Sequence, residues 1–369
     1  MKNSRLYYID WLRISVILSL IPYHAALTYT GLGDIYIIEP VTGLKLVPFI
    51  FLTMPLDNFF MTMLFFISGI SSYYSMKSRP DGLFIRERVN KLLKPFLLGT
   101  IFLSPVQAYS KALFNGFDGS LIEFIPEFFS KRIVYYLGYA HLWFLLYLFV
   151  FSVVSYPLFR WCLINRDRVK NVVDMMITKQ YIYFPILWII AVEAVFRPYF
   201  PGMQTLIMDW ANNLVYLTVY VFGFIYAFDS RIQDRIELLL SKSIIMVSVS
   251  GVSLFFIYWY WLIGEGNNFL ITRIWALSKG IYESFLIVLL MVIGRRCFNV
   301  DNKVLRYFKE SSFNYYLYHM LAVTYITLAF TSLRINYFVK YLMTVVLSVI
   351  IMAIVHEVIK KGKTHFSVR

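Results

Sequence analysis

The chain has 369 residues, of which 59% are hydrophobic and only 15% are charged, and its mean hydropathy is +0.65. A soluble domain is closer to half apolar and a quarter charged, so this composition excludes an ordinary water-soluble protein. The net charge of +14 is compatible with nucleic-acid binding, but the basic residues lie in short clusters between apolar runs instead of along one amphipathic face. We interpret the clusters as topology signals and expect no nucleic-acid partner.

The apolar runs predict an all-α polytopic integral membrane protein with about ten transmembrane helices, at roughly 20 residues per span. The first run resembles a signal peptide, but it is too long for one and contains charged residues, so we interpret it as the first membrane helix. No repeat or soluble domain stands out, and residues 1–369 are predicted to form a single transmembrane domain. In chain order, the predicted spans are 7–28, 54–76, 95–112, 138–159, 181–197, 206–228, 243–264, 273–294, 313–331 and 338–358.

The distribution of Lys and Arg predicts that both termini are cytoplasmic. With that orientation, the inside segments hold roughly 25 of the 35 Lys and Arg residues, as the positive-inside rule requires for a multi-pass protein of the cell membrane. Cys162 and Cys297 both fall in inside segments, so we expect reduced thiols and no disulfide. The longer outside connections, 29–53 and 113–137, are expected to cover an external opening. The inside segments are 1–6, 77–94, 160–180, 229–242, 295–312 and the residues after 358.

The first predicted helix contains three ionisable residues, Asp10, Arg13 and His24. The eleven-residue step from Arg13 to His24 places them about 20° apart around the helix axis and ~16 Å apart along it. Asp10 lies one turn before Arg13, where it can pair with the guanidinium and orient it. Ionisable groups inside a membrane often mark functional sites, although these three are also compatible with the two ends of an ordinary span.

Several motifs follow in chain order and carry a family resemblance. Arg13 and His24 are separated by ten residues, and FFISG at 65–69, FIRERVNKLLKP at 84–95, HLWFL at 141–145 and SSFNYYLYH at 311–319 come after them. In these motifs and in its topology the chain resembles the acyltransferase-3 family of membrane O-acyltransferases. It is most similar to the short branch that includes the glucan biosynthesis protein C enzymes. The resemblance implies transfer of an acyl group, usually acetyl and sometimes succinyl, from cytoplasmic acyl-CoA to a hydroxyl of an envelope glycan or lipid-linked acceptor.

The resemblance implies roles for the residues of the first helix. His24 is expected to be the base, because an unperturbed histidine titrates near neutral pH, and it either acts directly or carries the acyl group as an acyl-imidazole. Arg13, oriented by Asp10, is expected to bind the donor or the developing oxyanion. A CoA-binding role is also expected for the basic cluster after the second span, which is equally compatible with an orientation signal that contacts lipid headgroups. That cluster is Arg86, Arg88, Lys91 and Lys94.

The remaining polar residues have weaker assignments. His319 is expected near the cytoplasmic end of its helix, where it would assist Arg13 in donor binding, or else to be a hydrogen-bonded packing residue. On the acceptor side we expect His141, Trp143, Asp57 and Glu193, with an aromatic belt as the alternative for the first two and structural pairing as the alternative for the last two. Lys279 and Glu283, one turn apart, are interpreted as a structural pair. Asp209 and Arg273 are left between an acceptor cavity and structural pairing, His356 and Glu357 are interpreted as boundary residues, and His365 is placed in the tail.

The sequence contains no metal-ligand spacing, Gly-rich nucleotide loop or Ser-centred elbow, so no metal is expected. The family resemblance implies acyl-CoA, in particular acetyl-CoA, as the co-substrate. A secondary transporter or flippase is the alternative function, since about ten helices with intramembrane charges also suit transport. Paired halves with broken helices, which favour transport, are not recognisable. Membrane lipids are expected partners, and the acceptor, the acyl chain and the oligomeric state are left open.

Overall fold

The computed structural model describes residues 6–31, 36–80, 82–136, 139–202, 204–262 and 268–367. Every regular element in these ranges is helical, as predicted. Short 3-10 turns lie at Gly43–Leu46, Ala140–Leu142 and Tyr181–Tyr183, and a π-helix spans Val89–Leu93. The α-helices are α1 (Tyr7–Thr30), α2 (Val47–Asp57), α3 (Phe60–Lys77), α4 (Leu83–Arg88), α5 (Lys94–Phe114), α6 (Leu121–Tyr136), α7 (Trp143–Ile164), α8 (Arg166–Thr178), α9 (Phe184–Phe196), α10 (Trp210–Phe228), α11 (Ser230–Glu237), α12 (Leu240–Leu262), α13 (Phe269–Cys297), α14 (Lys303–Thr331) and α15 (Tyr337–Ser367).

Each of the ten predicted spans falls on a helix. Within the described residues, seven helical stretches are long and apolar enough to cross a membrane, and an eighth is formed if α8 and the stretch Tyr181–Phe196, bent by 96°, count as one span. The all-α polytopic class is therefore confirmed, whereas the count of ten and the cytoplasmic termini stay predictions. Residues 138, 263 and 264 of the predicted spans lie outside the described residues, as does the side chain of His365.

Several helix boundaries differ from the predicted ones. α14 begins at Lys303, ten residues before the predicted start, because the Asn302 side chain caps it by accepting the backbone N–H of Leu305 at 2.8 Å. The predicted outside connection 113–137 contains α6, and the inside segments contain the amphipathic helices α8 and α11. α14 also includes residues 303–312, which the prediction had placed in the inside segment 295–312.

The chain folds into two compact units, each assembled from separate stretches of the sequence. The first unit comprises Met1–Ile9, Asp57–Phe96 and Trp143–Asn299. The second unit comprises Asp10–Leu56, Leu97–Leu142 and Val300–Arg369.

In the first unit, α3 and α10 approach each other at two glycines. A Cβ added to Gly69 would lie 1.9 Å from the backbone oxygen of Tyr220, and one added to Gly223 would lie 2.0 Å from that of Phe66. Any side chain would separate the two helices, which is why small residues mark close helix contacts in membrane proteins. The FFISG motif therefore has a packing role, through Gly69.

In the second unit, an aromatic cluster holds the outside connections against the helices. Phe124 and Phe128 of α6 pack with Ile37 of the 29–53 connection and with Ala108 of α5. Both predicted outside connections are therefore ordered in part by the same apolar contacts. Met320, the neighbour of His319 on α14, belongs to this cluster as well.

Candidate active site

Asp10 holds two cations at one end of α1. Its Oδ1 forms an ion pair with Nη2 of Arg13, as predicted, and its Oδ2 accepts from Nζ of Lys309 on α14 at 3.0 Å. One carboxylate thus serves two cations, so Asp10, Arg13 and Lys309 taken together have one more positive than negative charge. Nε of Arg13 is buried and has no hydrogen-bond partner among the described residues. The guanidinium therefore keeps a donor for another acceptor.

A second contact joins α1 and α14 further along both helices. The His24 and His319 rings lie with their centroids 5.2 Å apart and their planes tilted by 34°. Residue numbers increase from the first contact to the second on both helices, so α1 and α14 run in the same direction. The predicted topology requires this direction of the first and ninth spans.

Three histidines from distant parts of the sequence meet in the second unit, and we call them the histidine cluster: His24, His141 and His319. His141 belongs to the 3-10 turn Ala140–Leu142, and its ring centroid lies 5.0 Å from that of His319. His319 is 1% exposed, whereas His24 and His141 are partly exposed. His319 is therefore the enclosed member of the cluster, and His24 and His141 are the members with some exposed surface.

Backbone contacts fix the tautomer of His319. Its Nδ1 lies 3.0 Å from the carbonyl oxygen of Tyr315 and 2.8 Å from that of Tyr316. Because carbonyl oxygens only accept, Nδ1 carries the proton and a neutral ring has its lone pair on Nε2. Nε2 is buried without a hydrogen-bond partner among the described residues. His319 thus presents a proton-accepting nitrogen that no described group occupies.

Both ring nitrogens of His141 are occupied. Nε2 donates to the carbonyl oxygen of Leu317 at 3.2 Å, and Nδ1 accepts from Nε2 of Gln107 at 3.4 Å. Gln107 in turn accepts from the Tyr36 hydroxyl at 3.4 Å. His141 is therefore held in one orientation by a chain of hydrogen bonds, which suits a positioning residue better than a base.

His24 differs from His141, because one of its ring nitrogens has no hydrogen-bond partner among the described residues. Its Nδ1 is buried and has no hydrogen-bond partner within the described ranges, and its ring packs edge-on against Tyr23 with centroids 5.0 Å apart. A buried polar atom without a partner costs about 1–3 kcal/mol, so such an atom at a histidine is a candidate for binding substrate or moving a proton.

The location predicted for His319 is wrong. The prediction placed it near the cytoplasmic end of its helix, beside Arg13, but Lys309 occupies that level and His319 lies beside His24. The reason is the earlier start of α14, which puts His319 sixteen residues into the helix. Its predicted part in binding the donor stays a prediction. Lys309, Gln107 and Tyr36 were missed, and only Lys309 has a sequence signal, since it precedes His319 by ten residues, one fewer than the step from Arg13 to His24.

The predicted donor cluster lies in the first unit, on α4, the π-helix and the start of α5. Arg86 and Lys94 are exposed, and Lys91 forms an ion pair with Glu87. Glu87 also pairs with Arg79 and accepts from the Ser75 hydroxyl at 3.1 Å. Glu87 and Arg79 therefore belong to the cluster although the prediction did not include them.

Arg88 is directed into the first unit instead of toward solvent. Its Nη2 donates to the Ser72 hydroxyl at 3.1 Å, and the guanidinium lies 4.6 Å from the centroid of the Phe84 ring. Burial lowers the pKa of Arg88 from its ordinary value, although Tyr220 opposes the shift. A guanidinium remains charged at neutral pH in spite of such a shift.

The residues predicted for the acceptor side separate in the structure. Glu193 is fully buried, and its carboxylate makes two hydrogen bonds to Arg197, at 2.6 and 2.7 Å. Trp143 is buried against Tyr147, with ring centroids 5.2 Å apart, while Asp57 is exposed and accepts from the Tyr258 hydroxyl at 3.4 Å. Their substrate-binding roles stay predictions, and for Glu193 the described contacts are those of a structural ion pair.

Other charged residues of the first unit have ion-pair or hydrogen-bond partners. Lys279 and Glu283 form the expected ion pair at 3.2 Å, and a Cβ added to the neighbouring Gly280 would lie 3.1 Å from Cβ of Glu193. Asp209 accepts from the Tyr147 hydroxyl at 2.6 Å. Arg273 donates to the Tyr199 hydroxyl at 2.8 Å.

Comparison with protein families gives one finding that bears on this geometry. The model of the acyltransferase-3 family, described as an acyltransferase domain, matches residues 6–357. The chain belongs to the acyltransferase-3 family. Membership makes it a membrane acyltransferase, and the matched residues include all three members of the histidine cluster. No curated protein and no solved structure was found to match the chain.

Proposed function

We propose that this membrane acyltransferase moves an acyl group, acetyl or succinyl, from cytoplasmic acyl-CoA to a hydroxyl of an envelope glycan or lipid-linked acceptor in the cell membrane. His24 is the proton acceptor. The observation that carries the proposal is the histidine cluster, in which His24 has a buried nitrogen with no hydrogen-bond partner in the described part of the chain. Its neighbour His319 offers a second lone pair in a fixed tautomer.

In the direct reaction, the acceptor hydroxyl attacks the thioester carbonyl while His24 removes its proton. The resulting tetrahedral intermediate collapses, the carbon–sulfur bond breaks, and the CoA thiolate takes the proton from the imidazolium. The products are the acyl ester and free CoA, and neutral His24 is restored. A positioned general base of this kind contributes roughly 100- to 10,000-fold to the rate.

The two-step reaction uses the same residue as a nucleophile. His24 then attacks the thioester carbonyl, the carbon–sulfur bond breaks, and the CoA thiolate takes the proton that the His24 ring loses on acylation. The acceptor hydroxyl next attacks the acyl-imidazole, a second base accepts its proton, and that proton returns to His24 as the acyl group leaves. Here the second proton acceptor is needed, because an acylated His24 cannot remove the proton of the acceptor. His319 suits that step, since its Nε2 lone pair has no partner among the described residues and its ring lies 5.2 Å from His24.

Arg13 supports donor binding in this proposal, because it lies ~16 Å from His24 along α1 and the two side chains do not reach the same thioester carbonyl. Asp10 neutralises only part of the charge at this site, because Lys309 shares its carboxylate. The guanidinium therefore retains positive charge and, within the described residues, one unoccupied donor for a carbonyl oxygen or a phosphate.

A transporter or flippase is the alternative that an experiment must exclude. The purified chain is reconstituted in liposomes with acetyl-CoA labelled in the acetyl group, with and without an extract of envelope glycolipids. Acyl transfer moves the label to glycan or protein and releases free CoA, whereas transport leaves acetyl-CoA intact on both sides of the membrane. Intact acetyl-CoA in the presence of a competent acceptor would overturn the proposal.

A further inference from the structure

A cavity of about 240 Å³ lies in the first unit, where the end of α3, the start of α4, the end of α7 and the start of α8 meet. We call it the Phe84 cavity. Four cationic residues line it, and no acidic residue is among the described residues that do so. The four are Lys77, Arg79, Arg160 and Arg166.

Each of the four cations is exposed, so a ligand can reach it from solvent. Arg79 pairs with Glu87 and donates to the Ser75 hydroxyl at 2.8 Å. Asp167, next to Arg166, does not line the cavity, and its carboxylate lies 4.0 Å from Nζ of Lys170. The lining of the cavity therefore has an excess of positive charge, which attracts an anionic ligand bearing more than one charge.

Two aromatic rings give the cavity a planar side. Phe84 and Tyr156 stack with centroids 5.9 Å apart and planes within 11° of parallel. Phe84 is 2% exposed and is further fixed by the Arg88 guanidinium, 4.6 Å from its centroid. Phe84 is thus covered and holds the Tyr156 ring in place, and the partly exposed Tyr156 is the ring on which a flat heterocycle, such as a nucleobase, can stack.

The size of the cavity limits the ligand. Pockets that enclose a drug-sized molecule usually measure about 300–1,000 Å³, so a cavity of about 240 Å³ is too small to enclose such a molecule and has room for only one end of it. A base with adjacent phosphates meets all three requirements of charge, planarity and size. A phospholipid headgroup supplies the phosphate but no planar ring.

We propose that the Phe84 cavity binds the phosphorylated adenosine end of acyl-CoA, an assignment that rests on the proposed function for the identity of the donor. Arg160 and Arg166 contact phosphate oxygens, and the base packs against Tyr156. The cavity-lining residues of α3, α4 and the segment between them include Lys77 and Arg79, and those of α7 and α8 include Arg160 and Arg166. All four belong to predicted cytoplasmic connections, on the side where the donor is expected.

The test is titration of the purified full chain, in uncharged detergent, with adenosine 3′,5′-bisphosphate as the probe. Arg160→Ala and Arg166→Ala should each weaken binding by at least about fivefold, and the double variant by roughly 20-fold or more, because each removes a charged hydrogen-bond donor to phosphate. Arg168→Ala is the matched control, since Arg168 is an exposed arginine of α8 that does not line the cavity. Thermal unfolding of each variant shows that it is folded.

Two further arms separate this inference from the proposed function and from lipid binding. In the first, the bisphosphate should compete with acetyl-CoA in the labelling reaction. Acyl transfer from acetyl-CoA with unchanged bisphosphate affinity in the double variant would overturn the cavity assignment and leave the function intact. In the second, the titration is repeated in nanodiscs with phosphatidylglycerol. Loss of lipid binding, but not of bisphosphate binding, in the Arg166→Ala variant would make the cavity a headgroup site and overturn the proposal.

Discussion

Replacing His24 by alanine isolates the chemical step from folding. The side chain is partly exposed, its Nδ1 makes no hydrogen bond to any described group, and its main contacts are the ring faces and edges of Tyr23 and His319. Truncation therefore breaks no Nδ1 hydrogen bond and should cost about 1 kcal/mol of stability, comparable to a lost aromatic pair. The loss of a general base or nucleophile should lower kcat by roughly 100- to 10,000-fold, which is about 3–5 kcal/mol in the activation barrier.

The assay is the initial rate of CoA release from acetyl-CoA in the presence of a competent acceptor, with thermal unfolding measured on the same samples. His356→Ala is the control, because His356 is also a buried histidine of the second unit, bonded to Asn314 at 3.0 Å and outside the histidine cluster. We expect the control to retain kcat within about threefold of wild type. A His24→Ala protein with kcat in that same range would remove His24 from the mechanism.

Three further predictions concern the donor and the topology. Arg13→Ala should lower kcat at both low and high salt. Arg13→Lys should restore only part of the lost kcat, because an ammonium lacks the planar fork of a guanidinium. Full rescue by lysine would contradict this reasoning. Arg86→Ala combined with Lys94→Ala should raise KM for acetyl-CoA with little change in kcat. The increase in KM should shrink at high salt because both side chains are exposed. An unchanged KM would mean that these residues only orient the chain in the membrane. The topology is tested by Ser78→Cys and Gly119→Cys, each in a background without the native cysteines. In intact cells, membrane-impermeant maleimide should label the cysteine at position 119 and not the one at position 78, and the reverse pattern would overturn the topology.

The sequence predicted the long apolar helices because hydropathy alone identifies spans in a bilayer. The shorter helices of the connections were not predicted, because their signals are periodicity and capping residues and not hydropathy. In α11, Ile232 and Ile236 are one turn apart and both buried, and Asp229 caps the helix by accepting the Arg231 N–H at 3.0 Å. These signals are visible in the sequence once the inside segments are searched for amphipathic helices.

The site was predicted only where it lies within one helix. Asp10, Arg13 and His24 share α1, so their spacing fixes their relation. The meeting of His24, His141 and His319 depends on how α14 and a 3-10 turn pack beside α1, and no local pattern records that packing. Glu193 and Arg197 are an intermediate case, since their i,i+4 spacing is a signal that the prediction passed over.

The most direct test of the account is transfer of labelled acetyl from acetyl-CoA to an envelope glycolipid extract by the purified chain, compared among the wild type, His24→Ala and His356→Ala. The account predicts label in the glycolipid fraction with equimolar release of CoA for the wild type and His356→Ala, and neither product above background for His24→Ala. Equal label transfer by all three proteins would contradict it.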